Sequence, residues 1–451
     1  QKYPVFEYQS FSWEKHGHAF NLRWTMVSNE LIFQPTLSLY LPTLLTNVVK
    51  EVIDELVFQL GLAEIPSYWK ATCSPTILIS AGYLSKPQIK WWEDLYLKGM
   101  GQYFYENKIG FTDPHFLTIN NKHQKSGTSY LQPIKSKLGP LVLVSDGKDT
   151  ATTLGIFSKA NLQFDSLSIQ RSTSFTSPLL KQFQIKNTSR GVRGLDPTLL
   201  NLNKDNFLNG HIPLSAYLAF AGLLTAYLQG NNEIIVSNEA SSNEGNVNWK
   251  GHSINHQYSK TFEFEQKLQS YLHNYLNLGI NYFSFLRPLF ELQITGLLAH
   301  FPHLLPHFSS CNVMQAKGTT GWCCTCPKCL STYLMLIPFL GEEKTSSIFG
   351  KNLLAMSEQL NNYKALLGKS THKPFECVST FEEIILASYL ALKQYSLDSL
   401  PTLLKYFQST VLPAEKNLNT RLTTLLSHFG KNLLKEPYLS ILQQRLPIEV
   451  E

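Results

Sequence analysis

The chain has 451 residues, a length that supports two or three domains and a substantial core. Its 43% apolar and 16% charged content is that of a folded globular protein and excludes a disordered one. The net charge of +6 comes without a Lys/Arg block, which argues against nucleic acid as a partner and is compatible with an anionic small substrate.

The first 138 residues mix strand-like stretches (3–11 and 20–26) with a helical pattern over 41–60. Aromatic residues are dense at Tyr68-Trp69, Trp91-Trp92 and Tyr103 to Tyr105. We read them as an N-terminal α+β domain, closed by Gly, Pro and Lys punctuation between Pro133 and Pro140. The mixed, aromatic start does not have the pattern of a secretory leader.

From Leu141 strands alternate with helices. Residues 141–144 form a short apolar run of central-strand type, 150–160 a helix and 164–169 the next strand. A loop rich in Arg and Asp is expected at 190–196. A long helix follows at 213–229, opening on a proline in the tolerated first position. Its apolar stretch, 212–228, falls short of the ~20 residues needed to span a bilayer. It also carries Ser215 and Thr225, so a buried helix and no membrane insertion are expected. Further strands at 233–237 and 282–286 and a helix at 288–300 complete an α/β domain over 139–335, with a mostly parallel sheet covered on both faces. Ligands in such sheets bind beyond the carboxyl ends of the strands, where Ser145, Ser237 and Ser284 fall. Residues 336–451 read as helical, with helices at 348–367 stopped by Gly368, at 384–395 behind a Thr380-x-x-Glu383 capping box, and at 418–429 stopped by Gly430.

The most specific stretch is Gly139-Pro-Leu-Val-Leu-Val-Ser-Asp-Gly-Lys-Asp-Thr150. A buried strand breaks into a small loop and opens a helix, so Ser145, Asp146, Gly147, Lys148, Asp149 and Thr150 offer N–H groups, hydroxyls and an ammonium where the helix dipole favours an anion. The pattern resembles the Ser-Gly-Gly-x-Asp-Ser loop of ATP pyrophosphatases, which split ATP into AMP and diphosphate. It lacks the Gly-x4-Gly-Lys-Ser/Thr arrangement of ordinary ATPases. Asp146 stands where that loop has glycine. A carboxylate there either ligates Mg2+ or repels the triphosphate.

Seven cysteines, four of them within 323–329, point to metal binding in a cytoplasmic protein rather than to a disulfide framework. Cys311, Cys323, Cys326 and Cys329 offer four thiolates, and a closed tetrahedral set of this kind is a structural zinc site. Free thiols and an iron–sulfur cluster are the alternatives. Cys324 is surplus and occupies a position that glycine often holds in such knuckles. His300, His303 and His307 are interrupted by Pro302 and Pro306, which favours a capped helix end over a second metal site.

A pyrophosphatase loop followed by a four-cysteine knuckle resembles 7-cyano-7-deazaguanine synthase. A longer set of segments is similar to another family: Ser67-Tyr-Trp-Lys70, Asn209-Gly-His-Ile-Pro-Leu-Ser-Ala216, Ser237-Asn-Glu-Ala-Ser241, Asn255-His-Gln-Tyr-Ser-Lys260, Tyr282-Phe-Ser-Phe-Leu-Arg-Pro288, Ser310-Cys-Asn312 and Lys373-Pro-Phe-Glu-Cys377. On these the chain resembles the UDP-N-acetylmuramoyl-L-alanyl-L-glutamate epimerase family of peptidoglycan synthesis. The resemblance implies ATP- and Mg2+-dependent inversion of the terminal glutamate of a UDP-muramoyl dipeptide, on an ATP-pyrophosphatase-type sheet.

The residues are consistent with that chemistry. Removing an α-proton beside an ionised carboxylate would create an enolate with two negative charges, whereas an acyl-adenylate carries one fewer and withdraws electrons. Lys148, the loop N–H groups and Mg2+ would stabilise charge on the phosphates, with Asp149 holding the metal. Candidates for the epimerisation base and acid are His256, Glu239, Lys260 and His211, with the Cys377 thiol a further choice. His256 leads, because an unperturbed imidazole titrates near the operating pH. Glu239 could equally hold Mg2+ or ribose. Arg287 and Lys373 are candidate carboxylate or diphosphate clamps, or else ordinary solvated charges. Asn209, Asn238, Asn255 and Gln257 are suited to adenine, sugar or peptide groups. Two other readings compete: an AMP-forming ligase or RNA-modifying enzyme related to the deazaguanine synthases, and a nucleotide-binding protein that has lost catalysis.

Overall fold

A computed structural model describes residues 2–124, 133, 138–170 and 177–449. The expected boundary between Pro133 and Pro140 lies largely outside the described residues.

Among the described residues thirteen strands occur in chain order: β1 Val5–His16, β2 Ala19–Ser28, β3 Leu31–Phe33, β4 Thr36–Tyr40, β5 Thr76–Ile79, β6 Thr118–Asn121, β7 Leu141–Leu143, β8 Asp165–Gln170, β9 Thr188–Gly194, β10 Glu233–Val236, β11 Val247–Trp249, β12 His252–Ile254 and β13 Asn281–Ser284. Eleven join one sheet in the order β13-β10-β7-β8-β9-β4-β2-β1-β5-β6, with β3 beside β2, while β11 and β12 form a separate hairpin. The architecture is α/β with a mixed, mostly parallel sheet. All neighbours from β13 to β9 are parallel. The β4-β2-β1 portion is antiparallel, as expected where short turns connect consecutive strands.

The sheet does not stop between the N-terminal strands and the parallel block. β4 pairs antiparallel with β9 from Thr36↔Gly194 to Tyr40↔Arg190. The segment expected as an Arg- and Asp-rich loop is therefore largely strand. Its polarity is accommodated by a buried ion pair. Arg193 donates from Nε to Glu64 Oε2 (3.0 Å) and from Nη2 to Glu64 Oε1 (2.6 Å) and Ser67 Oγ (2.7 Å), with its guanidinium 4.5 Å from the Tyr217 ring centre.

The helix expected over 41–60 runs instead from Lys50 to Trp69. The segment ahead of the helix is tied elsewhere, Leu45 donating its N–H to the Leu228 carbonyl (2.8 Å). Gly61 lets this helix press onto the sheet, for a Cβ there would lie 2.1 Å from Tyr8 Oη and 2.5 Å from Trp24 Cδ1. The other face meets the helix Leu214–Gln229, which is buried along nearly its whole length as its composition required. Among the described residues no helix is long and apolar enough to cross a membrane.

In the C-terminal region Thr380 and Glu383 form the expected capping box on the helix Phe381–Leu392. The helix expected over 348–367 is broken. Gly350, at φ +78°, ends the helix Pro327–Phe349, two 3-10 turns follow, and helix resumes only at Leu360–Leu366 before Gly368 at φ +71°.

The Arg193–Glu64 pair fastens β9 to the N-terminal helix. Removing one partner of a buried pair leaves a charge uncompensated, at about 3–5 kcal/mol. Glu64→Ala is expected to lower the melting temperature by several degrees, and the paired apolar replacement Glu64→Leu/Arg193→Met to recover much of the loss in the same thermal scan.

Candidate active site

The carboxyl ends of β7, β10 and β13 lie at one edge, held in parallel register through Ile235↔Val142 and Val236↔Ser284. The loop after β7 opens the helix Lys148–Lys159 with Gly147 as its N-cap. Ser145 closes the turn on Thr150, which accepts the Ser145 N–H at 3.2 Å. Thr153, one turn along, meets the Ser237 hydroxyl at 2.8 Å, so the loop helix is pinned to the end of β10. From outside, Ser310 Oγ accepts the Lys148 N–H at 3.1 Å, and a Cβ at position 147 would already touch this hydroxyl and that of Ser145 at 3.5 Å.

Lys148 is buried, and its ammonium bonds to Asp149 and lies 3.2 Å from Glu291 Oε1. Burial would depress its pKa, but Asp149, Glu291 and Glu239 together raise it, so the side chain stays charged. Burial alone would raise the pKa of Glu291, yet the Lys148 and Lys328 ammoniums hold it down at about 2. Lys148 therefore neutralises two carboxylates. The N–H groups of Ser145, Gly147 and Lys148 are also taken, by Thr150, Ser145 and Ser310, so what the loop offers an anion is the rest of the helix terminus. Asp146 also faces inward: it accepts a bond from the Ser177 hydroxyl, its carbonyl takes the Ser309 N–H at 2.7 Å, and burial pushes its pKa up. Its carboxylate fastens the loop to Ser177.

A second group of side chains lies beside the loop. Arg287 is buried and fully engaged: Nε binds Glu265 Oε2 (2.7 Å), Nη1 the Glu239 carbonyl (2.6 Å), and Nη2 the Lys260 carbonyl (2.5 Å). It fixes the backbone that carries Glu239 and Lys260. Lys373 is likewise buried, on Glu244 Oε2 at 2.6 Å. Neither side chain is a solvated charge.

Burial, and next the Asp149 carboxylate, raise the Glu239 pKa to about 7. The Lys260 pKa is raised by Cys377 first and, against burial, by Glu239 and Asp149; its Nζ lies 3.3 Å from Cys377 Sγ. His256 Nε2 is 3.7 Å from the same sulfur, and the His211 ring centre lies 4.9 Å from that of His256, tilted by 46°. Both imidazoles are pushed down to about 3, by burial and then, for His256, by Lys260, Lys328 and Lys373. His256 therefore lacks the near-neutral titration that recommended it in the sequence.

The amides are more dispersed. Asn255 caps its own turn, donating to the Ser242 carbonyl (2.9 Å) and accepting from the Gln257 N–H (2.7 Å). It also lines a cavity of about 350 Å3 shared with Lys98, Phe111, His252, Tyr258 and Glu263. Gln257 is buried with its Oε1 lacking a hydrogen-bond partner among the described residues. The Asn238 carbonyl accepts from Ser284 Oγ at 2.6 Å, beside the strand ends. Asn209 is exposed, its carbonyl accepting from Asn107 in the N-terminal part.

The thiols of Cys311, Cys323, Cys326 and Cys329 lie within 4.8 Å of one another, with Cys326–Cys329 at 3.6 Å and Cys323–Cys329 at 3.8 Å. A tetrahedron of sulfurs ~2.3 Å from zinc has edges of roughly 3.8 Å, so this donor set could hold such an ion. Cys324 takes a left-handed backbone, φ +59°, as its glycine-like position suggested, and turns its thiol to the Phe349 carbonyl at 3.3 Å. His300 caps the helix Glu291–Ala299, and no histidine joins a metal-type cluster among the described residues.

Three residues central to this geometry drew no attention in the sequence. Glu291 follows Phe290 as an apparently ordinary first-turn acid. Ser310 was only part of a motif. Lys328 lies inside the cysteine knuckle, yet its Nζ bonds to the Cys377 carbonyl. Only their burial, which is visible in three dimensions, distinguishes them.

The family model described as the MurL N-terminal domain matches residues 1–285, and that of the MurL C-terminal domain matches 307–420. The chain belongs to the MurL family. Three relatives carry the name UDP-N-acetyl-alpha-D-muramoyl-L-alanyl-L-glutamate epimerase. Those of a Micromonospora species and of Salinispora tropica are each 33% identical, covering 73% and 71% of this chain and 72% and 69% of their own lengths. The relative from Xanthomonas oryzae pv. oryzae is 31% identical over 70% of each chain. Both MurL domains contribute to the site, with the loop, Glu239, His256 and Lys260 in the N-terminal match and the four thiols and Cys377 in the C-terminal one.

Two outcomes are expected from this geometry. The purified MurL-family chain should carry one equivalent of zinc by elemental analysis, and Cys326→Ser or a strong chelator should remove it and lower the melting temperature by several degrees. Glu239 supplies the second. Its folded pKa of about 7 exceeds the ordinary 4.5, so the folded chain binds a proton that the unfolded chain has released. Its contribution to stability is therefore full below about 4.5 and declines as pH rises to about 7. Glu239→Gln should flatten that part of the melting temperature–pH curve.

Proposed function

We propose that the protein inverts the α-carbon of the terminal L-glutamate in UDP-N-acetylmuramoyl-L-alanyl-L-glutamate, through an acyl-adenylate formed from ATP with release of AMP and diphosphate. The reading is supported by the names of its relatives and, above all, by one arrangement: Lys260 lies 3.3 Å from Cys377 Sγ, itself 3.7 Å from His256, and its charge is also felt by Glu239, next to Asp149 of the loop. Activation at phosphorus and proton transfer at carbon then share one site.

In this reading the triphosphate meets the loop at 145–150 through the N-terminus of the helix Lys148–Lys159, an ATP-pyrophosphatase use of the strand edge. Mg2+ would be held by Asp149 and would neutralise charge on the departing diphosphate. Lys148 keeps Glu291 ionised and holds Asp149 in place. Adenylation removes the carboxylate charge that resists enolate formation, and the buried cations beside Cα favour the enolate once formed. Asn238, Asn255 and Gln257 are assigned to the nucleotide-sugar and peptide groups, and the cavity lined by Asn255 offers room for them. The substrate is a precursor of cell-wall peptidoglycan, which places the enzyme in the cytoplasm.

Incubation with ATP, Mg2+ and the L-glutamate nucleotide in deuterated water should yield AMP, diphosphate and one deuteron at the α-carbon of the D-epimer. Lys148→Met should slow diphosphate release by about 10²–10³-fold. ADP in place of AMP overturns the reading. AMP formed only with ammonia or a sulfur donor would favour the ligase alternative, and nucleotide binding without diphosphate release a protein that has lost catalysis.

A further inference from the structure

The reaction proposed above needs a group that can take a proton from carbon, and the expected histidine is poorly suited to that task. The imidazole of His256 is buried among three ammonium groups and held neutral with a pKa of about 3, so it holds an accepted proton weakly. His211, beside it, is also depressed to about 3. Lys260 stays protonated and can donate but not accept.

The remaining group is a sulfur. Cys377 Sγ lies 3.3 Å from Lys260 Nζ and 3.7 Å from His256 Nε2. Its backbone is fixed as well, the carbonyl accepting a bond from Lys328. His256 turns Nε2 to the sulfur, while its buried Nδ1 has no hydrogen-bond partner among the described residues. The sulfur therefore has an ammonium and an imidazole nitrogen both within hydrogen-bond reach.

We propose that Cys377 is the catalytic base that removes the α-proton of the activated glutamate, with Lys260 and His256 as its positioning residues and the Glu239 carboxylic acid as the proton donor to the opposite face. The inference rests on the epimerase reading. The Cα–H bond breaks as the S–H bond forms, and its electron pair passes into the enolate of the acyl-adenylate. The O–H bond of Glu239 then breaks as the new Cα–H bond forms. Cys377 is left as thiol and Glu239 as carboxylate, and exchange with solvent restores both. Glu239 suits the second role because its side chain is buried and its backbone is fixed by Arg287, whose Nη1 donates to the Glu239 carbonyl at 2.6 Å, and burial with the Asp149 carboxylate nearby raises its pKa to about 7.

The test separates activation from proton transfer. Wild type, Cys377→Ala and Cys377→Ser are incubated with ATP, Mg2+ and the L-glutamate nucleotide in deuterated water, with hydroxylamine added in a parallel series to trap the acyl-adenylate as its hydroxamate. Both variants should incorporate α-deuterium 10²–10⁴-fold more slowly than wild type. They should still release diphosphate and give hydroxamate that keeps the L configuration. The serine variant preserves the side-chain shape, so its loss of exchange would not reflect misfolding. Exchange within about threefold of wild type in either variant overturns the assignment of Cys377 and leaves the epimerase reading intact, as does loss of hydroxamate in a variant that melts like wild type. Failure of the wild type itself to form hydroxamate and to exchange overturns the epimerase reading and this assignment with it.

Discussion

Much of the site is organised around one buried carboxylate, that of Glu291. It lies 3.2 Å from the Lys148 ammonium and accepts a bond from Ser379 at 2.5 Å, while its N–H donates to Ser241 Oγ at 3.0 Å. Its neighbour Leu292 donates to Glu383 Oε1, the acid that closes the capping box of the helix Phe381–Leu392. The loop after β7, the turn after β10 and the C-terminal region thus meet on two consecutive residues. A buried charge in that position is stable only while Lys148 is opposite, and Lys148 is stable there only while its carboxylates stay ionised. The loop is rigid because its lysine serves the protein's own acids.

The cysteine cluster acts on the same place from the other side. Cys311 directly follows Ser310, whose hydroxyl holds the first N–H of the loop helix. Cys326 and Cys329 flank Lys328, which holds the Cys377 carbonyl. A closed four-sulfur centre has no free coordination position for chemistry, but here it would set the distance between the loop and the thiol. Its place in the reaction would be geometric.

In the parallel half β7, β10 and β13 were legible because each carries a short apolar run bounded by turn residues, and the loop declares itself by its small residues at a strand end. The four cysteines were legible by spacing, and Cys324 by standing where glycine is usual. β9 was not, since three of its seven residues are Gly or Ser and two are Arg. Its pairing is imposed by β4 and β8 on either side, and the burial of Arg193 by Glu64, far away in sequence. Arg287 and Lys373 show the limit of reading charges singly. Each is an unremarkable cation in the chain and a buried, paired one in the structure. The proton-handling set was legible only as a list of residue types. That burial suppresses His256 while Lys260 and Cys377 come together follows from folding more than a hundred residues of chain back onto 256–260, which no local pattern encodes.

The unbroken run of β4 onto β9 has a mechanical consequence. Many two-part enzymes enclose their substrates by swinging one lobe on a flexible joint. Here the two parts share a ladder of five residue pairs, so such a rotation would have to tear backbone hydrogen bonds out of the middle of a sheet. β4 and β9 thus make the sheet beneath the candidate site a single continuous plate.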